Sequence, residues 1–147
     1  VMLDYDTNEL EKLLIEIDDR NLINSIVLTG YVINTDLPAI YSLSTLFLYP
    51  SLRESFGIPM LEAMGCGVPV ITSNTSSMPE VAGDAAHIIN PHRPEEITEA
   101  MIKILEDKDY RDALCEKGIE RKKLFSWKNM AEQVLVLYNE LKTPHYD

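Results

Sequence analysis

Basic residues are scarce in this chain. Its 147 residues carry 13 lysines and arginines against 24 aspartates and glutamates, a net charge of −11. That balance argues against wrapping nucleic acid or docking on an anionic membrane by bulk electrostatics. It leaves an anionic small ligand open, because local donors decide that. Cysteine is nearly absent too. Cys66 and Cys115 are the two present, with neither metal-ligand spacing nor a disulfide framework. They read as free thiols of a reducing compartment, so a cytoplasmic location is expected. No signal peptide and no apolar run of membrane-spanning length is evident. His87, His92 and His145 show no mutual spacing for a metal, and each reads as a surface or core histidine. There is no internal repeat, no low-complexity segment and no linker rich enough to divide the chain. The chain opens on Val1, which suggests a fragment.

What is present is ordinary for a globular α/β protein, 46% hydrophobic and 25% charged,. The centre is 50–73, PSLRESFGIPMLEAMGCGVPVITS. Thr45–Tyr49 is a β-branched and aromatic run that Pro50 stops. Residues 51–57 are loop. Pro59 suits the first turn of a helix, and Leu61, Ala63 and Met64 give that helix an apolar face. Gly65, Gly67 and Pro69 end it. Val68–Thr72 is a short apolar strand of the kind buried on both faces of a parallel sheet.

The N-terminal end of this helix presents unpaired donors and partial positive charge at Gly57–Met60, which suits a phosphate. Gly57 has no side chain to hold a ligand off the backbone. Glu54 in the loop and Glu62 on the helix could accept hydrogen bonds from ligand hydroxyls. Phosphate donors flanked by hydroxyl acceptors match a nucleotide sugar.

The run Glu54-Ser-Phe-Gly-Ile-Pro-Met-Leu-Glu62, continued by Ala63 to Ile71, closely resembles the E-x7-E signature of the retaining GT-B glycosyltransferases of family 4, glycosyl transferases group 1. Ser77–Ala86, Asn90-Pro91 and the segment from Pro94 to Ile97 extend the match. The resemblance implies a Rossmann-like parallel sheet covered by helices on both faces, the C-terminal half of a GT-B enzyme. Residues 1–107 would be its α/β core and 108–147 its C-terminal helices. It implies that Glu62 accepts bonds from the ribose hydroxyls, and that Glu54 holds a hydroxyl of the transferred sugar beside the reacting carbon. Backbone N–H groups of Phe56, Gly57 and Ile58 would contact sugar hydroxyls and diphosphate. No cofactor and no metal is implied; the nucleotide sugar is a substrate.

Each role has a plainer alternative. Glu62 could be a helix surface residue stabilised by the dipole, Glu54 a loop carboxylate paired with Arg53, and Gly57 simple helix entry. The 73–77 segment could be a pocket wall or a turn, and Glu80 a family position or a surface residue. Phe56 reads as packing, Arg53 as solvated. The stripe Met130, Val134, Leu137 reads as core or interdomain contact, and Trp127 with its helix as an element reaching toward a preceding domain.

Along the rest of the chain, Asp6 and Glu9 predict a capping box for a helix over 7–19, and 21–24 a turn. Ser25–Thr29 predicts a strand. Asp36 and Pro38 open a helix through Leu43, and Met78–Ala82 is one helical turn ended by Gly83. Ala86–Ile89 is a strand. Helices follow from Pro94 to about Asp107, from about Tyr110 to Leu124, and after Ser126. Val1–Leu3 reads as a strand end.

In the family, a first strand and helix bearing a basic pair precede the point where this chain begins, as does an acceptor domain. With the order 3-2-1-4-5-6 the absent strands would be central. Two expectations follow: little transferase activity from this chain alone, and open parallel edges that favour homo-oligomers or swapping. Peripheral membrane attachment of the full-length enzyme is compatible with the family. The competing functions are a non-catalytic nucleotide-sugar-binding or assembly module and, last, a glycoside hydrolase using both glutamates. Eight helical residues span roughly 12 Å, more than glycosidase carboxylate pairs allow.

Overall fold

A computed structural model describes residues 1–2 and 6–142. The readings of Leu3 as a strand end and of His145 lie outside these residues. The chain separates into two compact units, 1–40 and 41–147.

In the first unit, helix α1 spans Thr7–Glu16. The Asp6 carboxylate caps it by accepting from the N–H groups of Asn8 at 2.8 Å and Glu9 at 3.0 Å, satisfying two of the orphan donors of the first turn. Leu10 and Leu14 are its buried stripe. The helix stops three residues short of the predicted 19 because Asp18 turns left-handed, φ 53°. The Asp18 and Asp19 N–H groups then bond the Ile15 and Leu14 carbonyls, a Schellman ending. A 3-10 turn follows at Arg20–Ser25, where a turn was expected at 21–24.

The strand predicted at 25–29 is not one. Leu28 forms a single parallel bridge to Met2, with Met2 N–H on the Val27 carbonyl and Thr29 N–H on the Met2 carbonyl. Apolar β-branched residues extend the backbone, but a strand needs a partner ladder, and one bridge is what the described residues supply here.

Helix α2 spans Leu37–Ser42. The second unit then builds a sheet of three parallel strands, β1 (Phe47–Tyr49), β2 (Val70–Ser73) and β3 (His87–Ile89), in the order β1-β2-β3. Phe47 pairs with Val70 and Ile71 with His87. All four residues of β2 are buried, as a central parallel strand requires. Helix α3 (Ile58–Gly65) crosses from β1 to β2, and α4 (Met78–Ala82) from β2 to β3. Helices α5 (Pro94–Glu106), α6 (Lys108–Lys123) and α7 (Trp127–Lys142) follow. Ile71, Ile89, Ala100, Ile104 and Leu114 form one core cluster, joining β2 and β3 to α5 and α6. Helix α6 starts earlier than its apolar residues announce, because the Asp107 carboxylate caps it through the Tyr110 N–H, 2.9 Å,. It meets α3 closely: a Cβ on Gly118 would stand 3.2 Å from the Met64 Cγ.

Arg121 ties α4 to α6. Its guanidinium donates to the carbonyls of Val81 at 2.9 Å and Glu80 at 2.6 Å, capping a helix too short to satisfy its own last carbonyls. Replacing Arg121 with Ala removes two charge-assisted bonds at a partly exposed site and should cost about 2 kcal/mol. Urea denaturation checks this, and Arg121→Lys should recover little, since one ammonium cannot span the fork.

The Ser126 hydroxyl accepts from the Asn129 N–H at 3.0 Å, capping α7 as predicted. The stripe on α7 is not core of the described chain. Met130 is 51%, Val134 43% and Leu137 59% exposed, and Trp127 is exposed as well. Helical periodicity reports an apolar face without saying what covers it.

Candidate donor site at the start of α3

Loop 50–57 leaves β1 and is held from beneath by hydroxyls at the end of β2. Ser73 donates to the Ser51 carbonyl at 2.6 Å and Thr75 to the same carbonyl at 3.1 Å. Thr72 donates to the Tyr49 carbonyl at 3.1 Å. Ser77 donates to the Glu54 carbonyl at 3.0 Å. Ser76, left-handed at φ 56°, donates to that carbonyl and accepts from the Glu54 N–H at 3.3 Å. Residues 72–77 therefore clamp the loop that carries Glu54. The buried Thr72 and Ser73 hydroxyls are satisfied by doing so,.

The loop enters α3 through Gly57, at φ 95° and buried. A Cβ there would lie 2.5 Å from the Met78 Cε. Pro59 sits in the first turn. The N–H groups of Phe56 and Gly57 find no backbone partner among the described residues, and Ile58 is the first residue of the helix. These donors lie at the end of α3 where the helix dipole is positive. Behind the loop, the Phe56 ring meets the Phe125 ring edge to face, 5.6 Å between centroids, so this side chain packs. Phe125 in turn lies under the Arg121 guanidinium, 5.2 Å away.

Glu54 is half-buried and Glu62 exposed. Each accepts a hydrogen bond from a tyrosine that reading the sequence did not single out. Tyr49 donates to Oε1 of Glu54, and Tyr41 to Oε2 of Glu62 at 3.3 Å. The Glu54 carboxylate thus engages Tyr49 in place of the considered Arg53 pair. Burial, with the Glu62 carboxylate beside it, pushes the Tyr41 phenol up to about 12. Burial and the bond to Glu54 raise Tyr49 further. Both phenols stay protonated donors at neutral pH. A partial signal was available for Tyr49, which ends the strand leading into the motif; Tyr41 has none, because its contact spans 21 residues.

Glu80 is exposed on α4. His87 faces the Tyr110 hydroxyl, 2.9 Å from its Nδ1, and burial, then the Lys103 charge, lower its pKa from 6.5. Folding disfavours its charged form, so its share of stability is whole above pH 6.5 and is lost as pH falls below that. His87→Phe should flatten the pH dependence of the melting temperature between pH 7 and 5. His92 is exposed. Among the described residues no group of three or more His, Cys, Asp or Glu could hold a metal ion. No helix among them is long and apolar enough to cross a membrane.

The family model for glycosyl transferases group 1 matches residues 3–121. The chain belongs to this family. It is 42% identical over 112 residues to the O-antigen chain mannosyltransferase B of Escherichia coli, covering 76% of this chain and 29% of that protein. Sucrose-phosphate synthase from Thermosynechococcus elongatus superposes with a TM-score of 0.80 at 29% identity, covering 91% of this chain and 34% of that one. Anabaena HepE, solved with UDP and glucose, superposes at 0.79 with 19% identity, covering 90% and 36%. These neighbours place the second unit's sheet and helices in the C-terminal domain of the GT-B fold, as the resemblance implied. The chain spans about a third or less of the length of these relatives.

Proposed function

We propose that this chain is the nucleotide-sugar donor site of a retaining glycosyltransferase, whose parent protein moves a sugar from a nucleoside diphosphate to an acceptor hydroxyl. The observation that carries this is the set of groups at the start of α3. The Phe56 and Gly57 N–H groups have no backbone partner among the described residues and Ile58 opens the helix. The carboxylates that flank them in the chain, Glu54 and Glu62, each have one oxygen already bonded. The donors suit a diphosphate. Glu62 takes the ribose hydroxyls and Glu54 a hydroxyl of the transferred sugar. The similarity to a mannosyltransferase supports mannose as that sugar and glycan synthesis as the setting.

In the reaction, the leaving diphosphate gains charge as the sugar departs. Fixed N–H donors and the helix end stabilise that charge without reorganising. Retention calls for front-face attack, with a leaving-group oxygen taking the acceptor's proton. Glu54 orients the donor and is not the nucleophile. The acceptor domain and further basic groups come from the rest of the parent protein, so this chain alone is expected to turn over little or no donor. No resident cofactor or metal has a part. The site works on the cytoplasmic side, in a parent that can lie against a membrane. The outer edges of β1 and β3 favour self-association.

Calorimetric titration of UDP, GDP and ADP, and of their glucose and mannose conjugates, tests the reading. Binding of one nucleoside diphosphate is expected, with its mannose conjugate tighter. Glu54→Gln should erase that sugar-dependent gain and leave the nucleotide alone. No binding of any of the nine ligands would overturn the reading for this chain.

A further inference from the structure

Three aromatic rings run from α2 onto β1. Tyr41 meets Phe47 edge to face, with centroids 5.2 Å apart at 86°. Phe47 stacks on Tyr49 at 5.6 Å and 19°, as residues i and i+2 on one face of a strand can. The two ends of the stack carry the hydroxyls that bond Glu62 and Glu54. Tyr41 is 3% exposed, and the packed rings leave each phenol little freedom.

We propose that Tyr41, Phe47 and Tyr49 form a bracket that sets the orientation of both motif carboxylates for the donor, Tyr41 serving the nucleotide end and Tyr49 the sugar end. This rests on the donor-site reading above. A free glutamate samples many rotamers, and fixing one costs conformational entropy. A phenol bonded to one carboxylate oxygen meets that cost before the ligand arrives. It also leaves the second oxygen for the ligand: Oε2 of Glu54 and Oε1 of Glu62 have no hydrogen-bond partner among the described residues. Raised phenol pKa values keep both tyrosines as donors, so the carboxylates receive a bond and not a repelling phenolate. The tyrosines are positioning residues, because they act through the glutamates.

Tyr41→Phe and Tyr49→Phe each delete one oxygen and keep the ring stack. Two readouts decide the proposal. The first is titration of the nucleoside diphosphate that the unsubstituted chain binds, and of its sugar conjugate. Tyr41→Phe should weaken both ligands about tenfold, the value of one hydrogen bond to a charged group. Tyr49→Phe should leave the nucleotide within about twofold and remove the sugar-dependent gain. A merely structural role would weaken both ligands alike in both variants. The second readout needs no ligand: carboxyl resonances in glutamate carbon-13 NMR, assigned through Glu54→Gln and Glu62→Gln. Tyr49→Phe should move the Glu54 resonance alone, and Tyr41→Phe that of Glu62 alone. Unchanged resonances, or variants binding as the parent does, overturn the bracket while the donor reading stands. If the unsubstituted chain binds none of the nucleotides, the donor reading fails, and the resonances alone decide whether the bracket fixes the carboxylates.

Discussion

Gly57→Ala should destabilise the second unit by about 2–5 kcal/mol and abolish nucleotide binding in whatever remains folded. Two costs add. Gly57 stands at φ 95°, where a side chain costs roughly 1–2 kcal/mol in backbone strain. The new methyl would also sit 2.5 Å from the Met78 Cε. Met78 has a flexible end, yet it is fully buried, so the methyl must displace packed neighbours for about 1–3 kcal/mol more. If Met78 yields, the Ala variant recovers in combination with Met78→Leu, which withdraws the terminal carbon. The backbone strain remains in that double variant, so rescue should be partial. Urea unfolding of the two single variants and the double variant separates strain from clash. A Gly57→Ala chain as stable as the parent would show that the helix entry is not left-handed.

Glu62→Ala carries the second large effect, and it falls chiefly on binding. The carboxylate is exposed on α3 but accepts from the buried Tyr41 phenol, so its loss should cost about 1–3 kcal/mol of stability by leaving that donor without its partner. If it accepts two ribose hydroxyls, truncation should weaken a nucleoside diphosphate by about a hundredfold or more, from bonds of about 1.5–3 kcal/mol each. Glu62→Gln keeps the size and one acceptor, and should recover part of the loss. Calorimetry with matched melting curves reads both quantities. A Glu62→Ala chain that binds nucleotide as the parent does would place the ribose elsewhere. The direction also separates the roles considered for this residue: a helix-surface glutamate would change binding not at all.

The parts of the molecule written in local sequence were legible. Asp6 before Leu10 and Leu14 announces a capped helix. Pro59 and Gly67 bracket α3 on either side of its apolar face, and the unbroken apolar run into Thr72 announces a central parallel strand. Each signal lies within one turn or one strand of what it specifies. Two of the misses depend on a partner outside their own segment, and the third on one backbone conformation. Ser25–Thr29 has strand composition and, among the described residues, no ladder beyond the Met2 bridge. Met130, Val134 and Leu137 have helical spacing and no cover among the described residues. The end of α1 turned on Asp18 adopting a left-handed conformation that aspartate tolerates more often than most residues.

The candidate site divides the same way. Glu54, Gly57 and Glu62 are recognisable because their spacing sits in one contiguous motif. The groups that orient them are not. Tyr41 reaches Glu62 across 21 residues, and Ser76 and Ser77 hold Glu54 across 22 and 23. A serine-rich run reads as loop by composition, and only the fold turns it into a clamp. Arg121 is a further case: a basic residue in a charged helix, it reads as solvent-facing until α4 is seen to need its last carbonyls satisfied.

The central claim is that the diphosphate of a nucleotide sugar rests on the start of α3. Amide chemical-shift mapping by nitrogen-15 NMR, during titration with the nucleoside diphosphate that binds best, tests it most directly. The largest changes are expected at the Phe56, Gly57 and Ile58 amides, with Glu62 and its neighbours on α3 next. Shifts concentrated elsewhere, with those three amides unmoved at saturation, would contradict it.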